Sequence, residues 1–277
     1  MTLLRAVSCW GNEASPVDAL ALSCDWGFEA VEGVMPADAR AFGVAARGVG
    51  KEIFAEIATG CDAGSYVPRR DAGPADHLED FHRKLDHALE AGPMLVTTLA
   101  GSDLWDFATS CKFLADLLEV AKSAGTTVFV ETHRARPTFH PVQTARLLEE
   151  LPDLMLTLDV SHWCVVCERL IPRDMEFMKG IGERSGHLHA RVGYNQGPQV
   201  PDPRPARFGD EVAAHLECWK RIAGQSRDRG CEHLTITPEF GPDGYLQCHP
   251  LSGEPAADLR EINRWMGGIL RENLIQV

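Results

Sequence analysis

No run of about 18 apolar residues occurs in the 277-residue chain, so no segment can span a bilayer as a helix. Met1 to Trp10 lack the basic start and long apolar core of a secretory signal, which predicts a cytoplasmic protein. Cysteine forms no framework: the nine residues are an odd number and scattered, which suits reduced thiols. Cys164 and Cys167 make one CxxC, and a zinc ribbon would need a second. One helical turn separates them, which fits paired packing, with a redox pair as the alternative. Positive charge is scarce: 27 Lys and Arg against 40 Asp and Glu, a net charge of −13. A general nucleic-acid binder needs a cationic surface to displace counterions, so no nucleic-acid partner is expected. WGNEASP, after the first apolar run, is not GxGxxG, and no Walker motif occurs, which argues against an open nucleotide-binding sheet. No low-complexity linker and no repeat divide the chain, so one domain over residues 1–277 is expected.

The composition, 44% apolar and 24% charged, is that of a globule with a large core. Apolar runs bounded by Gly and Pro predict strands at Leu3–Cys9, Phe28–Val34, Glu52–Thr59, Met94–Leu99, Thr126–Val130, Gly186–Val192 and Leu234–Thr237. A further strand opens the stretch Leu154 to Trp163, LMLTLDVSHW. Between them, helical patterns are expected from Ser15-Pro16 to Trp26, over Pro36–Ala46, Ala75–Glu90, Leu104–Ser123 and His140–Glu150, around Asp174–Glu183, and over Glu211–Ala223 and Ala256–Glu272. The first of these helices reads as an N-cap Ser with Pro at the first helical position. Eight strands, each followed by a helix, predict a parallel sheet. In this length they point to an α/β fold of one closed (β/α)8 TIM barrel, which typically takes about 250 residues.

In such a barrel the C-terminal strand ends converge on one face, where the active site sits. Glu131 stands at the end of strand five, Asp159 and His162 at strand six, and Glu239 at strand eight. His187, His189 and Arg191 alternate along strand seven, so they share one face, and the intervening Leu188 and Ala190 suit packing against helices. Three carboxylates brought together repel unless protons or a cation compensate. Glu, Asp, His and Glu from four consecutive strands make a mostly hard oxygen set with one imidazole. That suits one divalent ion, Mn²⁺ or Mg²⁺ ahead of Co²⁺ or Zn²⁺. Trp10, Glu32, Asp103 and Trp105 stand at loop starts on the same face. A Trp there can stack on a sugar ring or simply pack.

VFVETH (Val128 to His133), LDVSH (Leu158 to His162), GHLHAR (Gly186 to Arg191) and TPEFGP (Thr237 to Pro242) occur in this order. With them the chain resembles the xylose isomerase-like TIM-barrel superfamily, in its sugar phosphate isomerase/epimerase branch. TLAGSD (Thr98 to Asp103) and the order of elements extend the likeness to the first half. The resemblance implies that Glu131, Asp159, His189 and Glu239 hold one divalent metal, with Glu131 and Glu239 also serving as acid and base. It implies that His162 contacts a substrate oxygen and that His187 sits one layer deeper than His189. His133 and Arg191 are candidates to orient oxygens, and Trp10 and Asp103 to border the substrate. Several epimerases of this group carry an Arg six residues after the metal His; Asn195 stands there in this chain, and its Arg is Arg191.

The implied activity is epimerisation or isomerisation of a small carbohydrate, a sugar or keto-polyol, through an enediolate. The same site could instead eliminate water from a keto-sugar or keto-inositol, or cleave a glycoside whose sugar has been oxidised. An endonuclease IV-like phosphodiesterase would need more His ligands from strands two to four than Glu32, Glu56 and Asp103 provide. A sugar-binding barrel without catalysis would not need both glutamates. A phosphate on the substrate would call on Arg134, Arg136, Arg204 or Arg207. The outer helices could build a homo-oligomer, and no stripe marks an interface.

Overall fold

Apolar runs four to seven residues long set the barrel. In the computed structural model, which describes residues 1–10, 15–173, 175–242 and 244–274 (only the backbone at 175–177), they pair in chain order as a closed parallel ring. The strands are β1 (Thr2–Ser8), β2 (Ala30–Gly33), β3 (Glu52–Ala58), β4 (Leu95–Leu99), β5 (Val128–Glu131), β6 (Met155–Leu158), β7 (Ser185–Ala190) and β8 (His233–Pro238). The helices are α1 (Pro16–Trp26), α2 (Ala39–Gly48), α3 (Pro74–Leu89), α4 (Phe107–Ser123), α5 (Pro141–Glu150), α6 (Ser161–Val166), α7 (Met175–Glu183), α8 (Gly209–Asp228) and α9 (Leu259–Leu274). The ring closes where Thr2–Arg5 of β1 pair with His233–Ile236 of β8. The molecule is a single-domain (β/α)8 TIM barrel, as the alternation predicts. None of its described helices is long and apolar enough to cross a membrane.

Strand residues alternate between two cores. Val7, Val31, Ile53, Val96, Val130, Leu156, Leu158, Leu188 and Ile236 face outward into the large layer shared with the helices. Leu4, Ala6, Ala30, Phe54 and Leu95 form a separate cluster with Phe129, which fills the barrel floor. Above it the interior turns polar. The Thr97 and Thr157 hydroxyls meet at 2.6 Å across the barrel from β4 and β6. Glu32, Glu131, Asp159, His187, His189 and Glu239 are buried above or beside them. Leu188 and Ala190 lie in the outer core, so the two histidines of β7 do point inward.

Helix starts fall later than the apolar pattern suggests, because capping aspartates set them. Asp38, Asp106 and Asp258 accept backbone N–H bonds from Ala41, Thr109 and Glu261 at 2.9, 2.7 and 3.1 Å. α2, α4 and α9 therefore begin at Ala39, Phe107 and Leu259, not at Pro36, Leu104 and Ala256. Ser15 and Pro16 open α1 as expected, with Asp18 N–H on the Ser15 hydroxyl. The polar tail after Ala223 continues α8 to Asp228, where Gln225 donates to the Lys179 carbonyl.

The largest correction is at Leu154–Trp163. The strand ends at Leu158, and Asp159 Oδ1 accepts the Ser161 N–H at 2.8 Å, which starts α6. His162 therefore sits on a helical first turn rather than a strand end. The expected start of the next helix, Asp174, and Gly11 after β1 lie outside the described residues. The described cysteines are all free, and Cys164 is buried.

Candidate metal centre and active site

β5 to β8 deliver four side chains to one point. One ligand atom each from Glu131, Asp159, His189 and Glu239 lies within 4.8 Å of the others, and all four residues are buried. The backbone around them is tied down. Thr132 Oγ1 accepts the Asp159 N–H at 2.8 Å and donates to the Asp159 carbonyl at 2.9 Å, so the ends of β5 and β6 move together. After Glu239, the Phe240 N–H and carbonyl are both held by the Asn263 amide of α9, at 2.9 and 3.0 Å. Gln199, on the loop after β7, binds Gly241 in the same two-bond way.

A second layer fixes His189. Its Nε2 donates to Glu32 Oε1 at 2.9 Å, and its Nδ1 lies 3.0 Å from Glu239 Oε2 and 3.5 Å from Glu131 Oε1. His187 lies one layer deeper, between Thr235 at 2.9 Å and Glu32 Oε2 at 3.2 Å, and Thr237 also donates to Glu32. Burial would raise the Glu32 carboxyl, but His187 and His189 hold it well below the usual range. Despite burial, Glu239, Glu32 and Glu131 push His189 well above an ordinary histidine. Burial first, then Glu239 and Asp159 against the opposing pull of His189, lifts Glu131 to about 7.

This set fits a divalent ion. His189 Nδ1 and Glu239 Oε2 are buried with no hydrogen-bond partner among the described residues. Three carboxylates and an imidazole turned inward, with the other imidazole nitrogen on a carboxylate, make the donor set of a hard-cation centre.

Arg191 stands beside the quartet. It binds Asp159 through Nη2, donates from Nε to Ser161 Oγ at 3.1 Å, and lies 3.5 Å from Glu239 Oε2. The same Nη2 donates to His162 Nε2 at 2.9 Å. Arginine cannot accept, so the neutral His162 keeps its proton on Nδ1, which has no partner among the described residues. Burial and the neighbouring cations keep His162 and His133 well below the ordinary histidine range. His133 donates from Nδ1 to the Arg134 carbonyl and receives the Tyr245 hydroxyl at 3.4 Å.

Above the quartet lies a small chamber lined by Trp10, Glu56, Tyr66, Leu99, Glu131, His133, Arg191, Glu239 and Tyr245. Trp10 and Tyr245 meet edge to face at 5.0 Å, with Tyr66 beside both. Arg191 lies over the Tyr245 ring at 4.6 Å and Arg134 at 4.8 Å. Trp10 needs Gly241: a methyl group there would lie 1.9 Å from its ring.

Of the residues singled out from sequence, Glu131, Glu239, His133, Arg191 and Trp10 line the chamber; Asp159, His189 and His162 are buried beside it, and His187 below. Asp103 is exposed on the loop after β4 and does not line it. Trp105 packs on His77 and Phe113. Arg136 is buried and holds the carbonyls of Thr59, Gly101 and Tyr66. Arg204 pairs with Asp202 and Glu261.

Glu56, Tyr66 and Tyr245 carry weight that sequence reasoning did not give them. Burial, then Glu239, Glu32 and Glu131, push the Glu56 carboxyl up to about 8. Its signal was present as an acid on the inward face of an apolar strand, EIFAEIA. The two tyrosines come from loops and leave no such signal.

The sequence matches no family model and no curated protein. Among solved structures, the chain is similar to a D-tagatose 3-epimerase-like protein at 16% identity and TM-score 0.64, covering 100% of this chain and 98% of that one. It is similar to an L-ribulose 3-epimerase at 16% and 0.67, covering 100% and 95%. A probable 3-DHS dehydratase from Bacillus anthracis follows at 15% and 0.61, covering 97% and 98%. The chain thus shares the (β/α)8-barrel fold of these solved structures over nearly its whole length.

Proposed function

We propose that the protein is a divalent-metal-dependent epimerase or isomerase of a sugar or keto-polyol. One observation carries this reading: four ligand atoms from β5 to β8 within 4.8 Å, with an unpaired imidazole nitrogen turned to two carboxylates. Glu131, Asp159, His189 and Glu239 would hold the ion, which supplies Lewis-acid polarisation of an adjacent carbonyl and hydroxyl. Mn²⁺ or Mg²⁺ suits the oxygen-rich set, ahead of Co²⁺ or Zn²⁺.

Glu131 and Glu239 enter from β5 and β8, three strands apart around the ring. One carboxylate removes the proton from the hydroxyl-bearing carbon beside the carbonyl, leaving an enediolate. The other returns a proton to the opposite face, which inverts the centre, or to the neighbouring carbon while the hydroxyl proton passes to the former carbonyl oxygen, which moves the carbonyl. The unpartnered His162 Nδ1–H and the Arg191 guanidinium supply donors toward the developing oxygen charge. Trp10, Tyr66 and Tyr245 exclude water above the reacting carbons.

A lyase is the second reading, favoured by Glu56. A carboxyl protonated near neutrality and facing the chamber can protonate a leaving hydroxyl, which epimerisation does not require. A three-metal phosphodiesterase would draw histidines from β2 to β4, whose inward residues nearest the mouth are Glu32, Glu56 and Leu99.

The test is elemental analysis of the purified protein beside Asp159→Asn, followed by deuterium incorporation from D₂O into a panel of ketoses and keto-polyols. About one divalent ion per chain, lost in the variant, with exchange at the carbon next to the carbonyl, is the expected result. A folded protein that takes up no Mn²⁺ in excess would sink the proposal.

A further inference from the structure

Beside the catalytic chamber runs a second cavity, on the β2–β3–α3 side of the barrel mouth. The chamber offers ≈ 40 Å³ to water-sized molecules, and the groove ≈ 700 Å³. The first holds a few waters; the second is in the size range of small-molecule sites. Trp10, Glu56 and Tyr66 line both, so they form the wall between them. Val34, Met35 and Ile57 make an apolar side of the groove, and Asp80, Arg83 and Lys84 of α3 a polar one.

We propose that this groove is a second sugar subsite, so that the substrate is a neutral glycoside or oligosaccharide whose reacting edge, a carbonyl and its neighbouring hydroxyl, reaches into the chamber while its appended glycosyl unit lies in the groove against Trp10 and Tyr66. The proposal rests on the chamber being a sugar site. Trp10 and Tyr66 offer faces and edges on which a pyranose can pack. No hydrogen bond or ion pair from a described residue holds the Glu56 carboxyl, which leaves it to meet sugar hydroxyls at the junction. The charges of the groove argue against an anionic occupant. Asp80 lies 2.6 Å from Arg83 and 2.8 Å from Lys84, and Lys84 also donates to the Ala58 carbonyl at 2.6 Å. Both cations are paired with Asp80, and the lining as a whole sets three carboxyl side chains, Glu56, Asp62 and Asp80, against Arg83 and Lys84, which disfavours a phosphate. A second neutral ring meets no such repulsion.

Val34 lines the groove, is 63% exposed, and touches nothing in the catalytic set, so it can be enlarged without disturbing the core. Binding of maltose, cellobiose and sucrose, each against its component monosaccharides, is measured by saturation-transfer NMR titration in metal-free wild type, Val34→Trp and Val34→Ala. At least one disaccharide should bind about tenfold or more tightly than its monosaccharides. Val34→Trp should abolish that difference and leave monosaccharide binding unchanged, and Val34→Ala should keep it. Equal binding of disaccharide and monosaccharide, no binding of any disaccharide, or a preference that survives Val34→Trp would overturn the subsite. Because the readout needs neither metal nor turnover, a disaccharide preference in a protein that takes up no metal would sustain the subsite and sink the catalytic proposal.

Discussion

Glu32 on β2 reaches across the barrel to His189 on β7, and the 2.9 Å bond from Nε2 leaves Nδ1 facing Glu131 and Glu239. The carboxylate fixes which imidazole nitrogen carries the proton, and therefore which one can take a cation. Glu32 touches no other member of the quartet, so its effect passes through the histidine.

Replacing it should weaken the centre without removing a ligand. Glu32→Gln keeps the shape and one acceptor but loses the charge that steadies His189. Mn²⁺ affinity, followed by calorimetric titration, should fall about 10- to 100-fold while the far-ultraviolet spectrum is unchanged. An unaltered affinity would mean that His189 is held well enough by its strand.

The two glutamates should be separable from Asp159 by kinetics. At saturating Mn²⁺, Glu131→Gln and Glu239→Gln should each slow solvent exchange of substrate hydrogen by about 10²-fold or more. One variant that retains exchange but loses epimerised product would show that its carboxylate acts only on the second face. Full activity in both would remove them from the proton path.

Arg136 should be a stability residue. It is buried, and its guanidinium joins the loops after β3 and β4 to its own loop after β5 by bonds to the Thr59, Gly101 and Tyr66 carbonyls. Arg136→Met leaves those carbonyls without their donor and should cost about 3 kcal/mol or more in urea unfolding. A loss under about 1 kcal/mol would mean that water replaces the guanidinium easily.

His215 should make stability pH-dependent. It lies buried in α8, accepts the Gly193 N–H at 3.2 Å and donates to the Glu211 carbonyl at 2.7 Å, and burial pushes its pKa down to about 4. The unfolded chain takes up this proton below about pH 6.5 and the native state does not. Its contribution is therefore intact above pH 6.5 and lost as pH falls toward 4, by about 3 kcal/mol in all. His215→Gln should flatten that part of the stability curve, measured by denaturant unfolding at pH 7.5, 6 and 4.5. Parallel curves for the two proteins would rule the residue out.

Much of the fold is written locally. Eight apolar runs between Gly and Pro breaks are enough to count the strands, and the acids and histidine at the ends of four of them gather within 4.8 Å. Helix starts were less visible, because one capping Asp outweighs two or three preceding residues of compatible propensity. The six-residue α6 has too few turns to show a period, which hid the placement of His162. Glu56 is legible as an acid of strand three but not as a member of the site, because it lies within its strand, where only closure of the ring shows that it faces the other acids. Of the aromatic cap only Trp10 is legible, as a Trp at the start of a loop; Tyr66 and Tyr245 come from two other loops and meet it only in space.

The greasy floor beneath the acids makes the barrel a vessel with one opening. Leu4, Ala6, Ala30, Phe54, Leu95 and Phe129 stopper the lower end. Whatever reacts inside must leave by the door through which it came, past Trp10 and Tyr66. Product and incoming substrate then queue for the same passage, and accumulated product should slow turnover by standing in the way.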